Sequence, residues 1–217
     1  MISNFYTGSK TSNGRRKNNR LGRAVFATVE PLERRVLMST TVEVAFNTDS
    51  DATYVAPSGS PLMAHTLRDA VTYADDATGS VGDVTITFAG TITSITLNGT
   101  LGALRLSNGS YPTTISGPGA NVLSISGGGS TTVFNVTSVA TATISGLTIT
   151  DGNAGSSDGG GILNQGDLTV TACAVTQCTA ADGGGIASES GTLFLANDDE
   201  LIHSGLLVRF VNHGEIK

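Results

Sequence analysis

The 217-residue sequence has no tryptophan, seven phenylalanines and four tyrosines. A globular core of this size usually draws much of its apolar area from large aromatics. A narrow interior filled by stacked Ile, Val, Leu and Ala needs none of them. No run approaches the roughly 18 consecutive apolar residues of a membrane-spanning helix. A secretory signal needs an apolar core of roughly 7–15 residues behind a basic start, and the best candidate, residues 21–29, is broken by Arg23. Positive charge is also scarce beyond the N-terminus. Up to Ser39 there are eight basic and two acidic residues, net +6; from Thr40 onward four basic residues face sixteen acidic ones, net −12. A body so poor in Lys and Arg cannot neutralise a phosphate backbone, which excludes nucleic acid as a partner. The basic leader suits either an anionic surface or a solvated, disordered tail.

Glycine, by contrast, is abundant and ordered in sequence. Asp158-Gly159-Gly160-Gly161-Ile162 returns unchanged as Asp182-Gly183-Gly184-Gly185-Ile186, 24 residues later. Each copy is followed by a small polar turn and an alternating apolar pattern. Self-similarity at this period marks a solenoid, whose coils bury their apolar sides against their neighbours. A β-propeller would need blades of about 40–50 residues with recurrent aromatics. The pattern therefore predicts an all-β fold of stacked parallel coils. The repeat turns are Gly159, Gly160, Gly161, Ile162 and Gly183, Gly184, Gly185, Ile186.

Four regions follow from composition. Residues 1–40 form a basic leader, read as disordered at least to residue 23. Residues 41–80 hold a first strand over 41–46, a loop-like stretch over 47–61 and a capping helix. Thr66-Leu67-Arg68-Asp69 has the form of a capping box, in which the Thr hydroxyl accepts from the Asp amide while the carboxylate reaches back. Leu67, Ala70, Val71 and Ala74 then fall on one helical face, placed to cover the open edge of a first coil. Residues 81–196 alternate at Val84/Ile86/Phe88, Ile95/Leu97, Leu104/Leu106, Leu123/Ile125, Phe134/Val136, Ala142/Ile144 with Leu147/Ile149, Leu168/Val170 and Leu193/Leu195, enough for five or six coils. Residues 197–217 lose the rhythm and form an atypical tail.

Two resemblances attach to these motifs. Leu32-Glu33-Arg34-Arg35-Val36-Leu37-Met38-Ser39 resembles the Leu-Glu-Pro-Arg-x-Leu-Leu (LEPR-XLL) element near the N-terminus of large bacterial surface or secreted proteins. It differs in having Arg34 at the Pro position and Met38 at a Leu position. The resemblance implies an export or envelope-sorting role. The order His65-Thr66-Leu67-Arg68-Asp69-Ala70, Ile115-Ser116-Gly117, Ile144-Ser145-Gly146 and Gly-Gly-Gly-Ile is similar to bacterial right-handed parallel β-helix repeat proteins. Many of these open with a Cys-Ser-Leu-Arg-Glu-Ala element and carry polymorphic outer-membrane-protein-like repeats. This implies a single-stranded, pectin-lyase-like β-helix, secreted or at the cell surface or outer membrane, with a carbohydrate or cell-surface ligand. His65 stands in the Cys position.

Chemistry is sparse. β-Helix lyases use a basic residue beside carboxylate-bound calcium, and between Asp69 and Val208 the only basic residue is Arg105. Hydrolases of this architecture use grouped carboxylates, for which Asp151, Asp158, Asp167 and Asp182 are candidates. Asp158 and Asp182 share a phase, so they are either turn formers or a weak calcium pair stacked one coil apart. Cys173 and Cys178 are too far apart in an extended strand to bridge without a bend, which favours two small buried side chains. No spacing among His65, His203 and His213 fits a zinc site. Asn-x-Ser/Thr occurs at Asn98, Asn108 and Asn135. The expectation is a noncatalytic surface β-helix, adhesin-like or structural, with no cofactor. The alternatives are a carbohydrate-active lyase or hydrolase, or a truncated fragment of a larger surface protein.

Overall fold

The computed structural model describes residues 39–50, 56–59 and 61–196, together with the backbone of 208–210. The basic leader and the sorting-like element through Met38 lie outside the described residues; Ser39 opens the first strand. The chain begins with β1 (Ser39–Val44), β2 (Leu62–Ala64) and α1 (Leu67–Asp75). Four three-stranded coils follow. They are β3 (Asp83–Phe88), β4 (Ser94–Thr96) and β5 (Leu104–Leu106); β6 (Thr113–Ser116), β7 (Ser124–Ser126) and β8 (Phe134–Val136); β9 (Thr141–Ser145), β10 (Thr148–Thr150) and β11 (Ile162–Asn164); and β12 (Asp167–Thr171), β13 (Ala174–Thr176) and β14 (Ile186–Ser188). β15 (Thr192–Ala196) and β16 (Val208–Phe210) continue beyond them.

Corresponding strands of successive coils pair in parallel, giving three sheets. Their orders are β15-β12-β9-β6-β3-β1-β2, β13-β10-β7-β4 and β16-β14-β11-β8-β5. The molecule is a parallel β-solenoid. With three strands per coil, the stack holds four complete coils instead of the five or six expected. Strands β6, β11, β13 and β14 carry no apolar alternation of their own in the sequence pattern.

Register explains the core. Ile86, Ile115, Ile144 and Val170 stack in the first sheet; Ile95, Ile125, Ile149 and Val175 in the second; Leu104, Phe134, Ile162 and Ile186 in the third. All twelve are buried, each stabilising by about 1.5–3 kcal/mol. Phe134 is the large aromatic that this narrow interior encloses. The 24-residue period is local. It holds between Ile162 and Ile186 and between Ile125 and Ile149, whereas Ile95 lies opposite Ile125, 30 residues on.

The capping helix forms as its sequence dictates. Thr66 Oγ1 accepts from the Asp69 amide at 3.1 Å, and the Thr66 amide donates to Asp69 Oδ2 at 3.2 Å. Leu67, Ala70, Val71 and Ala74 are buried, against β1, β2, β3 and β5. Asn108 fastens the other end, its Nδ2 donating to the carbonyls of Ala74, Asp75 and Ala77 at 2.9, 3.3 and 3.1 Å. These bonds satisfy carbonyls that a helix C-terminus leaves without intrahelical partners. In the tail, the backbone of β16 lies beside β14 with Val208 opposite Ile186, so three residues of a segment lacking the repeat signature extend the third sheet. No helix among the described residues is long and apolar enough to cross a membrane.

Candidate functional site

Inward positions are taken mostly by Ile, Val and Leu, so every second residue of each strand faces out. On the second sheet these outward residues form two rows. Ser94, Ser124, Thr148 and Ala174 make one, and Thr96, Ser126, Thr150 and Thr176 the other. Seven of the eight carry a hydroxyl and none a charge. The first sheet adds Thr41, Thr85, Thr114, Thr143 and Thr169 in register, ending at Phe194, which is 39% exposed. Thr suits a pleated, half-buried surface because its β-branch packs against neighbours on the same face. Rows are spaced along the stack by the strand separation of about 4.8 Å.

These hydroxyls hydrogen-bond among themselves and to the corners. Thr176 Oγ1 donates to Thr150 Oγ1 at 3.3 Å, Ser126 Oγ to Asp151 Oδ2 at 3.3 Å, and Thr148 Oγ1 to the Ala120 carbonyl at 2.6 Å. The sequence contains the rows but hides them. Coils of unequal length leave no fixed spacing from which a reader could align Ser126, Thr150 and Thr176.

The third sheet is different in kind. Arg105, Asn135 and Leu163 stand in register on its outer side, followed by Ala187, which is buried. Arg105 is exposed. Asp151 sits at the corner after β10 in a left-handed conformation, φ 50°. Asp167 opens β12 on the first sheet, where its Oδ1 accepts from the Thr192 amide at 3.1 Å. The candidate base and candidate carboxylates thus occupy separate elements rather than one stretch of one face. Arg68, from the capping helix, is engaged by Asp49.

The Asp-Gly-Gly-Gly-Ile repeat is a backbone stack. The Gly161 amide points at the carbonyls of Gly184 and Gly185, 3.1 and 3.0 Å away, and the Gly159 amide donates to the Asp182 carbonyl at 3.0 Å. Gly159 and Gly183 adopt φ of 71° and 59°. A Cβ at Gly160 would collide with the carbonyl oxygens of Thr179 and Gly184, and one at Gly161 would press on that of Gly185. Glycine is required here by the close approach of one coil to the next. Asp158 and Asp182 occupy corresponding points of successive coils. Among the described residues no set of three or more His, Cys, Asp or Glu side chains gathers to hold a metal ion.

Both cysteines are free thiols, Cys173 buried and Cys178 partly so. Burial pushes both above the ordinary thiol value of 9.0, opposed at Cys173 by hydrogen bonds from the backbone of Leu147, Thr171 and Gly146 and at Cys178 by one from Gly152, with the nearby Asp151 charge raising Cys178 further. His65 is exposed, its ring edge-on to Phe46 at 5.9 Å; His203 and His213 lie outside the described residues. Of the three Asn-x-Ser/Thr sites, Asn98 occupies a surface turn, Asn108 is buried against α1, and Asn135 lies within β8. Comparison with protein-family models, with curated proteins and with solved structures finds no match.

Proposed function

We propose that this chain is a noncatalytic β-helix of a secreted or cell-surface kind, whose second sheet and adjoining first sheet bind an extended, neutral, hydroxyl-rich polymer. The observation that carries this reading is the pair of in-register Ser/Thr rows at Ser94/Ser124/Thr148 and Thr96/Ser126/Thr150/Thr176. They offer uncharged donors and acceptors at a regular repeat of about 4.8 Å. A polysaccharide strand lying along the stack meets the same pair of groups at each coil, and many weak contacts add by multivalency. The location is supported by the LEPR-XLL-like element and by the resemblance to bacterial surface β-helices. The separation of Arg105 from Asp151, Asp158, Asp167 and Asp182 along the fold favours binding over lyase chemistry.

Co-sedimentation with insoluble polysaccharides tests the proposal. The full chain should pellet with at least one neutral glycan, and the Thr150→Val/Thr176→Val variant should lose most of that binding while retaining its circular dichroism. Retention by acidic glycans alone, or equal retention of the folded variant, would contradict it. Release of reducing ends or unsaturated products would favour the enzymatic alternative.

A further inference from the structure

Asn-Gly is the dipeptide most prone to spontaneous succinimide chemistry, because glycine places no side chain in the way of its own amide nitrogen as it attacks the preceding Asn. The sequence holds three such pairs, at Asn13, Asn98 and Asn108; Asn13-Gly14 lies outside the described residues. The other two sit in closely related local settings and differ in one respect. At Asn98, Oδ1 accepts from the Thr100 amide at 3.1 Å and from Thr100 Oγ1 at 2.8 Å. At Asn108, Oδ1 accepts from the amides of Ser110 and Tyr111 at 2.8 and 3.0 Å. Each amide carbonyl is thus polarised by two donors. The nitrogens diverge. Asn108 Nδ2 is buried and donates to three carbonyls at the end of α1, whereas Asn98 Nδ2 has no acceptor among the described residues. The Asn98 turn is at the surface, with Gly99 and Thr100 exposed, and it is closed by the Leu101 amide on the Asn98 carbonyl at 2.9 Å. The Gly99 amide also has no acceptor among the described residues.

We infer that Asn98-Gly99 is a site of spontaneous deamidation and isoaspartate formation in the folded protein, and that Asn108-Gly109 is held unreactive by the capping helix. The Gly99 nitrogen gives up its proton to solvent base and bonds to Asn98 Cγ. Charge gathers on Oδ1, where the two Thr100 donors act as an oxyanion hole. Collapse breaks the Cγ–Nδ2 bond, and ammonia leaves with a proton from solvent. Water then opens the succinimide at either carbonyl to give aspartate or isoaspartate. One water enters, one ammonia departs, and no redox partner is needed. At Asn108 the same departure must break three hydrogen bonds to Ala74, Asp75 and Ala77.

The product matters to the cap. The Asn98 backbone amide donates to Asp49 Oδ2 at 2.8 Å, and Asp49 is the partner of Arg68. An isoaspartyl link inserts a methylene into the main chain beside that amide and leaves a new carboxylate near Asp49, loosening the joint between α1 and the first coil.

The test is peptide mass mapping of the full chain after incubation at mildly alkaline pH, folded and in denaturant. In the folded chain Asn98 should convert at least about tenfold faster than Asn108, since three extra hydrogen bonds oppose the slower site; in denaturant the two rates should converge. Thr100→Val, which removes one donor to Oδ1, should slow Asn98 severalfold. A folded ratio below tenfold, a ratio that persists in denaturant, or a Thr100→Val rate equal to the parent would each overturn the inference.

Discussion

Arg68 and Asp49 form a two-point ion pair, with Nε donating to Oδ1 at 2.8 Å and Nη2 to Oδ2 at 2.7 Å. The Asp49 side chain is 2% exposed and that of Arg68 21%. Arg68 also donates to the carbonyls of Gly102 and Ala103, at 2.8 and 3.3 Å. One guanidinium therefore joins the capping helix, the segment after β1 and the turn leading into β5. The planar fork of arginine matches this geometry, and lysine could not reproduce it.

Removing Arg68 leaves the buried Asp49 carboxylate without its counter-charge, and removing Asp49 leaves the partly buried guanidinium without its own. Arg68→Ala should destabilise the chain by about 3 kcal/mol, seen as a lower denaturant midpoint at unchanged slope. Asp49→Ala should cost a similar amount, and the double variant less than the sum of the two. Additive losses would mean that the pair does not act as a unit.

Glycines divide by what surrounds them. Gly160→Ala drives a methyl group into the carbonyls of Thr179 and Gly184, and should cost about 3 kcal/mol or more because the obstacle is backbone. Gly90, exposed, has nothing within 4 Å of a would-be Cβ, so Gly90→Ala should be neutral or stabilising by about 0.4–1 kcal/mol. Thermal melts of the two variants make the comparison.

Ala172 holds a left-handed conformation, φ 49°, at the corner where the preceding coil has Gly146 at φ 63°. The left-handed region costs a residue with a Cβ roughly 1–2 kcal/mol, partly offset by the entropy glycine loses on folding, about 0.5–1 kcal/mol. Ala172→Gly should therefore raise stability by about 0.5 kcal/mol, and Ala172→Val should lower it. Chemical denaturation of both variants checks the sign.

The raised thiols give a pH dependence of definite direction. Folding holds Cys173 and Cys178 neutral, so their contribution is complete below the unfolded thiol value of 9.0 and is lost as pH rises through the higher folded values. Stability should fall above pH 9.0, and the Cys173→Ala/Cys178→Ala variant should lose less over that range. In the native chain at neutral pH, both thiols should also react slowly with alkylating reagents relative to the denatured chain. Rapid native labelling would contradict their burial.

Much of the scaffold is legible in the sequence because its signals are local. Thr66 and Asp69 stand three residues apart and announce the helix; the Asp-Gly-Gly-Gly-Ile copies announce the stack. Asp49 is not legible, since it lies in a polar stretch without periodicity and its partner is 19 residues on. β2 escapes for the same reason, being three residues just beyond the loop-like stretch that pair with β1, with Met63 also bridged to Ser58. The Ser/Thr rows depend on register between coils of unequal length, which only the folded backbone fixes. Asp158 and Asp182 stand at corresponding points of successive coils, as their 24-residue spacing requires.

The register of the second sheet is the central claim, since it builds the proposed binding face. In a chain lacking Cys173 and Cys178, Thr150→Cys and Thr176→Cys place two outward thiols directly opposite on β10 and β13, where the present hydroxyl oxygens are 3.3 Å apart. Neighbouring strands about 4.8 Å apart fall within the range of about 4.4–6.8 Å that a disulfide spans between Cα atoms. Mild oxidation followed by mass mapping should show an intramolecular 150–176 bridge, while Thr150→Cys with Ala174→Cys, diagonal in this register, should bridge far less. Preferential 150–174 bridging, or no bridge in either pair, would contradict the stack.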